Sequence, residues 1–569
     1  MAATGRISIA EGGGLVYQGR YCPDTVDTIK TIPGRKYNPA TREWFLPANE
    51  DILQVFAGSQ TVTIDPDAYT LIQSKIQARQ AVLQAKQDER PEPLKPMPLK
   101  GVKPFAHQIT GFNIGISNSQ AALLHEQGCG KTLTAIAIAG RRFLDGEIKR
   151  VLVVAPLSVV PVWRREFADY AGYDHSVKVL TGTMKKRRDA LACLSEEEGL
   201  QVAVINFEAV WREQMFKSLL KWCPDMIVVD ESQKIKGPNT NQSKGLHKLG
   251  DMGSTYKMIL TGTPITATPL DFWSQYRFLD PDIFGKSFYS FRNRYAIMGG
   301  YLNKQIINYR NKEELIKKAH SIAHRVTKDD ALDLPPFTDQ DLYCSLEPEA
   351  ARAYKEMREE SIMQLAAAAQ GEGTTLTATN VLTRLLRLQQ LTGGYLPRDP
   401  EAEEVEIVQL SKAKLNLLTE TLDDLFTAGR KVVIFARFVP EIGAILELLR
   451  DRFAFEPAYI YGAVKQDQRG AMVERFQRDP GCKAFVAQVQ TAGLGITLHA
   501  ADTAIFYSTD YNYGVYDQCR ARVHRIGQQK NVTYIHLIAE NTVDEKIYKI
   551  LKNKGNIAQD IVDNWREYF

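Results

Sequence analysis

Short apolar runs alternate with polar turns through much of the chain. Ala121–Leu124, Val151–Ala155, Val202–Ile205, Ile227–Val229 and Met258–Leu260 are too short for buried helices and read as strands covered on both faces. Between them the spacing turns helical, as in Leu133-Thr134-Ala135-Ile136-Ala137-Ile138-Ala139. Strand and helix in alternation predict a parallel α/β sheet. The pattern returns at Lys431–Phe435, Ala484–Ala487 and Thr503–Tyr507, so two such lobes are expected.

The flanks read differently. Residues 1–65 predict a small β-rich module: Ile7–Ile9 and Leu15–Tyr17 are strand candidates, and a turn at Asn38-Pro39 returns through Trp44-Phe45-Leu46. Trp44 is expected in the core more than at a nucleic-acid surface. Residues 66–99 predict a helix and then an extended proline-rich linker, because Pro91-Glu92-Pro93 and Pro96-Met97-Pro98 exclude helix and central strand. The first lobe is expected over 100–280. Residues 281–410 read as a helical, charged inter-lobe region with a flexible loop at Gly371–Thr375, and 411–569 as the second lobe with C-terminal helices.

Chemistry enters at the turn after the first strand, His125-Glu126-Gln127-Gly128-Cys129-Gly130-Lys131-Thr132. Strand, Gly-rich turn, Lys-Thr and helix is the layout of a phosphate-cradling loop. Small residues let backbone N–H groups turn inward, and the helix N-terminus adds partial positive charge. Gln127, Gly128, Cys129, Gly130, Lys131 and Thr132 are the candidate nucleotide ligands, Lys131 for the β- and γ-phosphates and the Thr132 hydroxyl for Mg²⁺. The first glycine of the usual spacing is replaced by His125. Downstream, the strand Ile227–Val229 ends in Asp230-Glu231. Asp230 is the second candidate Mg²⁺ ligand, and Glu231 the candidate base for the attacking water. Gln108, shortly before the loop, has an amide able to read the adenine edge, although a surface glutamine is the commoner reading. Lys185-Lys186-Arg187-Arg188 reads as a solvated helix face in preference to a DNA contact.

Composition narrows the field a little. The 569 residues exceed a single core, and 44% hydrophobic with 24% charged residues is ordinary globular composition. A net charge of +4 permits nucleic-acid binding without arguing for it. Seven dispersed cysteines without a Cys-x-x-Cys pair support neither a zinc site nor a disulfide framework. With no membrane-length apolar run and no signal-peptide pattern, an intracellular, cytoplasmic protein without membrane partners is expected.

The series of motifs resembles the motor of superfamily-two helicases, specifically the Swi/Snf-like DNA translocases. Gln518-Cys519-Arg520-Ala521-Arg522-Val523-His524-Arg525-Ile526-Gly527-Gln528 carries the most specific likeness, joined by Leu260–Ile265, by Thr542–Ile547 and by the run from His324-Arg325 to Leu334-Pro335-Pro336. The likeness covers about residues 100–550. Two departures stand out: His125 where the family usually has Asp, and Gln233 where it usually has His. The turn from Tyr37-Asn38-Pro39 to Trp44 is similar to the HARP module of annealing helicases, a shorter and less specific match. The lack of long extra domains suits a compact bacterial or phage-type enzyme, acting as a monomer.

The resemblance implies two RecA-like parallel-sheet lobes with helical insertions, with ATP and Mg²⁺ between them. The second lobe would supply Arg522 and Arg525 to the transferring phosphoryl group, with Gly495 and Gln518 near the nucleotide. Ser158, Thr261, Thr263, Thr491 and Gly493 would contact DNA phosphates, since a motor must ignore sequence. The expected function is ATP-dependent translocation on double-stranded DNA, including annealing or remodelling of branched DNA. A strand-separating DNA or RNA helicase is the alternative, and an ATP-gated clamp a third reading.

Overall fold

The computed structural model describes residues 5–551 except 11–13, 57, 158, 253, 267, 300–304, 332–334, 370–385, 398–405, 495, 510–512, 526 and 550. The chain divides into two compact units, one built on residues up to 331 and one starting at 332.

The first unit opens with five strands, β1 (Gly5–Ile9), β2 (Leu15–Gly19), β3 (Lys36–Asn38), β4 (Glu43–Leu46) and β5 (Val62–Ile64), ordered β3-β4-β2-β1-β5. Alternation sets the buried face: Ile7, Leu15, Tyr17 and Leu46 enter a core with helices Pro23–Thr31 and Glu50–Phe56. The module is therefore mixed, with helices where a β-rich fold was expected. Helix Pro66–Gln87 belongs to it as well, burying Ala68 and Ile72 in the same core.

The proline-rich stretch is extended, as its composition requires, but it is pinned down. Leu94 N–H donates to Asn113 Oδ1 (2.9 Å), Asn113 Nδ2 donates to the Glu92 carbonyl (2.8 Å), and Gly172 N–H donates to the Pro98 carbonyl (3.0 Å). Met97 and Leu99 pack on the lobe's core.

The lobe's sheet contains β6 (Gln120–His125), β7 (Arg150–Ala155), β8 (His175–Val179), β9 (Leu200–Asn206), β10 (Met226–Asp230) and β11 (Tyr256–Leu260). After a hairpin of β12 (Ala296–Gly299) and β13 (Gln305–Tyr309), the chain returns as β14 (Ala323–Val326). The order is β14-β6-β11-β10-β7-β9-β8, all parallel. Successive residues feed opposite cores: Leu152 and Val154 one, Val151 and Val153 the other.

The second unit begins with β15 (Phe337–Cys344). After the small hairpin β16 (Tyr395–Pro397) and β17 (Ile407–Gln409) come β18 (Val432–Ala436), β19 (Ala458–Ile460), β20 (Ala484–Gln488), β21 (Thr503–Phe506) and β22 (Val532–Ala539). Its parallel sheet runs β15-β22-β21-β18-β20-β19. Residues 281–410, expected to be helical, thus give an edge strand to each lobe. β14 has only four residues and β15 is mostly polar, so neither shows the apolar run of a central strand. The loop expected at Gly371–Thr375 lies outside the described residues.

Candidate active site in the first lobe and arginine helix in the second

In a parallel α/β sheet, ligands bind beyond the carboxyl ends of the strands. The sheet order puts the ends of β6, β11 and β10 side by side, and with them the phosphate loop, Thr261-Gly262-Thr263 and Asp230-Glu231.

The loop takes the shape its glycines allow. Gly128 and Gly130 have φ of +90° and +75°, and Gly130 precedes helix Lys131–Leu144. Lys131 is buried, and its Nζ donates to the carbonyls of His125 (2.9 Å) and Glu126 (3.2 Å). The ammonium is thus held at the mouth of its own loop. The carboxamide of Gln127 is buried with neither its nitrogen nor its oxygen bonded. Burial pushes the Cys129 thiol up to about 11, so it stays protonated and packs as a small apolar group.

Gln108 is not a surface residue. It lies buried against Gly130; Oε1 accepts from Phe105 N–H (2.9 Å) and Nε2 donates to the Cys129 carbonyl (3.4 Å). Both ends of the amide therefore brace the helix start and the loop. The neighbouring His107 reaches the same carbonyl at 2.9 Å.

His125, the departure from the usual loop, is fully buried and lies 2.9 Å from His324 Nδ1 on β14. Burial and the surrounding cations hold its pKa well below the ordinary value, so the ring is neutral. Arg325 beside it donates to the carbonyls of Leu124 (2.9 Å) and Gly262 (3.2 Å) and pairs with Glu126 at 3.2 Å. One buried guanidinium therefore joins β6, the phosphate loop and the turn after β11.

Asp230 ends β10 in a buried position. Oδ2 accepts from Trp163 Nε1 and Oδ1 from Glu231 N–H, both at 2.9 Å. Burial and the neighbouring Glu231 raise its pKa, Lys131 opposing. A buried carboxylate at this strand end, within electrostatic reach of Lys131 at the start of the helix that also carries Thr132, fits a divalent cation. Glu231 has φ +52°, the left-handed region that side chains rarely occupy, so the local fold forces this carboxylate out of line with the strand.

From Glu231 a polar chain leads sideways. Gln233 Nε2 donates to Glu231 Oε2 (2.7 Å), Thr261 Oγ1 donates to Gln233 Oε1 (2.7 Å), and Thr263 N–H donates to Thr261 Oγ1 (3.0 Å). Gln233 thus makes a connection on both sides. Thr261 is 0% exposed, and its hydroxyl is a link in this chain. The Thr263 hydroxyl is buried and unbonded. Ser158 lies outside the described residues.

In the second unit, helix Tyr513–Val523 carries Gln518 and the largely buried Arg522. Just beyond it, Arg525 Nη1 donates to Thr497 Oγ1 at 2.7 Å. Gln528 locks this turn: Nε2 donates to the carbonyls of His499 (3.2 Å), Ala501 (2.7 Å) and Val523 (3.2 Å), and Oε1 accepts from the N–H groups of Gln529 and Lys530. Thr491 and Gly493 sit in the short helix Val489–Leu494, where the Thr491 hydroxyl donates to the Gln488 carbonyl (2.7 Å); Gly495 lies outside the described residues.

Sequence reasoning missed Trp163 and gave no role to Arg325 or His324. Their partners lie 67, 199 and 199 positions away, and no spacing rule reaches that far.

Two parallel α/β lobes, one ending in a phosphate loop and a paired Asp-Glu, define the class of helicase-like ATPases. The SNF2-related domain model matches residues 52–393, and the helicase conserved C-terminal domain model matches 413–527. The chain belongs to the SNF2-related family. It is 27% identical over 480 residues to the mouse chromodomain-helicase-DNA-binding protein 1-like, covering 82% of this chain and 51% of that one. An ATP-dependent helicase of Mycoplasma genitalium is 26% identical over 445 residues, 77% of this chain and 40% of its own. The ISWI chromatin-remodeling complex ATPase ISW2 of Saccharomyces cerevisiae is 27% identical over 474 residues, with shares of 80% and 40%. The chain thus spans about half or less of the length of these relatives. The Sulfolobus solfataricus SWI2/SNF2 ATPase core in complex with dsDNA is 26% identical, with 83% of this chain and 95% of that one covered at a TM-score of 0.39. Among the described residues, no helix is long and apolar enough to cross a membrane.

Proposed function

We propose that the chain couples ATP hydrolysis to movement along double-stranded DNA. The observation that carries the reading is the hydrogen-bonded chain from Glu231 through Gln233 to Thr261 and Thr263. It ties the candidate base to the turn after β11, so a change at either end is felt at the other. The names of the relatives, a DNA-binding chromodomain helicase and a chromatin-remodelling ATPase, favour DNA as the track.

In this reading Lys131 leaves its two carbonyls for the β- and γ-phosphates, and Gln127, Gly128, Cys129 and Gly130 wrap them. Thr132 and Asp230 hold Mg²⁺, which when bound neutralises phosphate charge. Glu231 orients and deprotonates the attacking water, and Arg522 and Arg525 stabilise charge on the transferring phosphoryl group. Gln108 serves ATP by fixing the loop. Thr263, on the turn after β11, and Thr491 and Gly493, in the short helix after β20, would contact backbone phosphates, which carry no sequence information. Annealing of strands or remodelling of branched DNA is the finer activity proposed.

ATPase rates without nucleic acid and with blunt duplex, forks, single strands and RNA test this. Duplex and forked DNA should stimulate most, less so as salt rises. Stimulation by RNA or single strands alone would favour the strand-separating helicase.

A further inference from the structure

Away from the ATP site, the N-terminal module and the segment after β11 enclose a cavity of about 330 Å³, at the low end of the range of small-ligand sites. Its wall holds four cations, Lys30, Arg35, Arg294 and Lys318, and no carboxylate, together with Trp44. Two carboxylates stand behind: Glu314 pairs with Arg294 (2.7 Å) and Lys318 (3.2 Å), and Asp27 with Lys30 (2.8 Å). Four cations against two carboxylates leave two positive charges.

Arg35 is the residue without a match. It is half-buried, its Nη1 donates to the Ile32 carbonyl at 2.8 Å, and it has no carboxylate partner among the described residues. Desolvating a guanidinium without a counter-ion is unfavourable, and burial lowers its pKa accordingly. The cavity is also built to last. Gly34 and Gly285 meet backbone to backbone, so that a Cβ on Gly285 would lie 2.8 Å from Gly34 Cα. Nearby, the half-buried Lys75 pairs with the buried Asp280 and Asp282.

We propose that this cavity binds one nucleotide of an unpaired nucleic-acid strand, its backbone phosphate on Arg35 with Lys30 and Lys318 flanking, and its base against Trp44. Trp44 is half-buried with its ring 4.9 Å from that of Tyr37, a braced aromatic face of the kind single-strand binders use. A duplex keeps its bases stacked inside and cannot present one here. The module would thus hold a strand end or a splayed arm while the motor works on adjoining duplex, a role resting on the translocase reading only for the duplex part.

The test measures binding of the full chain to a fluorescent oligothymidine and to a blunt duplex. Trp44→Ala and Arg35→Glu should each weaken the oligothymidine about tenfold, through the loss of a stacking face and of a phosphate ligand. Lys30→Glu, at an exposed position, should weaken it several-fold and lower the salt slope by about one. Blunt-duplex affinity and duplex-stimulated ATPase should stay at parental values. Parental oligothymidine affinity in Lys30→Glu and in a folded Arg35→Glu would overturn the proposal. A parental ATPase that duplex fails to stimulate would overturn the translocase reading instead, and oligonucleotide binding would still decide the cavity.

Discussion

Gln233 Nε2 donates to Glu231 Oε2 at 2.7 Å, and so a neutral amide holds the candidate catalytic base. The other end of the same amide accepts from Thr261. Glutamine offers a donor and an acceptor at once, without a charge that would titrate near neutral pH. Gln233→Ala should leave basal ATPase within about threefold and reduce stimulation by DNA at least about tenfold, the scale of a lost hydrogen bond to a charged group. Full stimulation in the variant would show that the signal travels elsewhere.

Catalytic roles separate by what is lost. Lys131→Ala should abolish turnover and weaken nucleotide binding, since the phosphates lose their ammonium. Glu231→Gln should keep ATP binding and lose hydrolysis. Arg525→Ala and Arg522→Ala should hold nucleotide affinity within a few-fold while stimulated turnover falls about 10³–10⁵-fold. Nucleotide titrations beside single-turnover rates distinguish these outcomes, and wild-type turnover in any variant removes that residue from the site.

Arg325 braces three elements at once. Arg325→Met should leave Glu126 without the Arg325 cation and the Leu124 and Gly262 carbonyls without their guanidinium donor. A loss of about 2–3 kcal/mol is expected, below the range for a fully buried pair because Glu126 is 23% exposed. Urea unfolding of the first unit checks this, together with a raised KM for ATP. A loss under about 0.5 kcal/mol would mean the brace carries little.

The second unit contains a pH-dependent element. Glu441 is buried, accepts from the N–H groups of Arg437 (3.2 Å) and Phe438 (3.1 Å) and from the Ser508 hydroxyl, and its Oε1 is unbonded. Burial pushes its carboxyl up to about 7. The folded state therefore holds a proton that the unfolded state has released between the ordinary carboxylate value and pH 7. Stability falls as pH rises through that window, by at most about 3 kcal/mol, and stays reduced above it. Glu441→Gln should flatten the dependence between pH 5.5 and 8, read as urea midpoints by pulse proteolysis. An equal pH slope in both proteins would rule Glu441 out.

The central strands were legible because they are buried on both faces: β7, β9 and β10 show as unbroken apolar runs. The polar edge strand β15 and the four-residue β14 were not, because one side of an edge strand faces away from the sheet and short strands carry little pattern. Lys131, Asp230 and Glu231 could be found because loop and strand end are local patterns. What Trp163, His324 and Arg325 do could not, because it exists only when strands far apart in sequence become neighbours. Gln108 was singled out for its amide, yet its contacts with Phe105 and Cys129 give it a brace's work that amide chemistry alone did not suggest.

Displacement of a third strand from a triplex tests the proposed translocation most directly, because it reports movement along an intact duplex. With ATP and Mg²⁺ the parental chain should displace the third strand, Glu231→Gln should not, and a plain duplex with a single-stranded tail should be separated poorly. Efficient separation of the tailed duplex without triplex displacement would contradict the account.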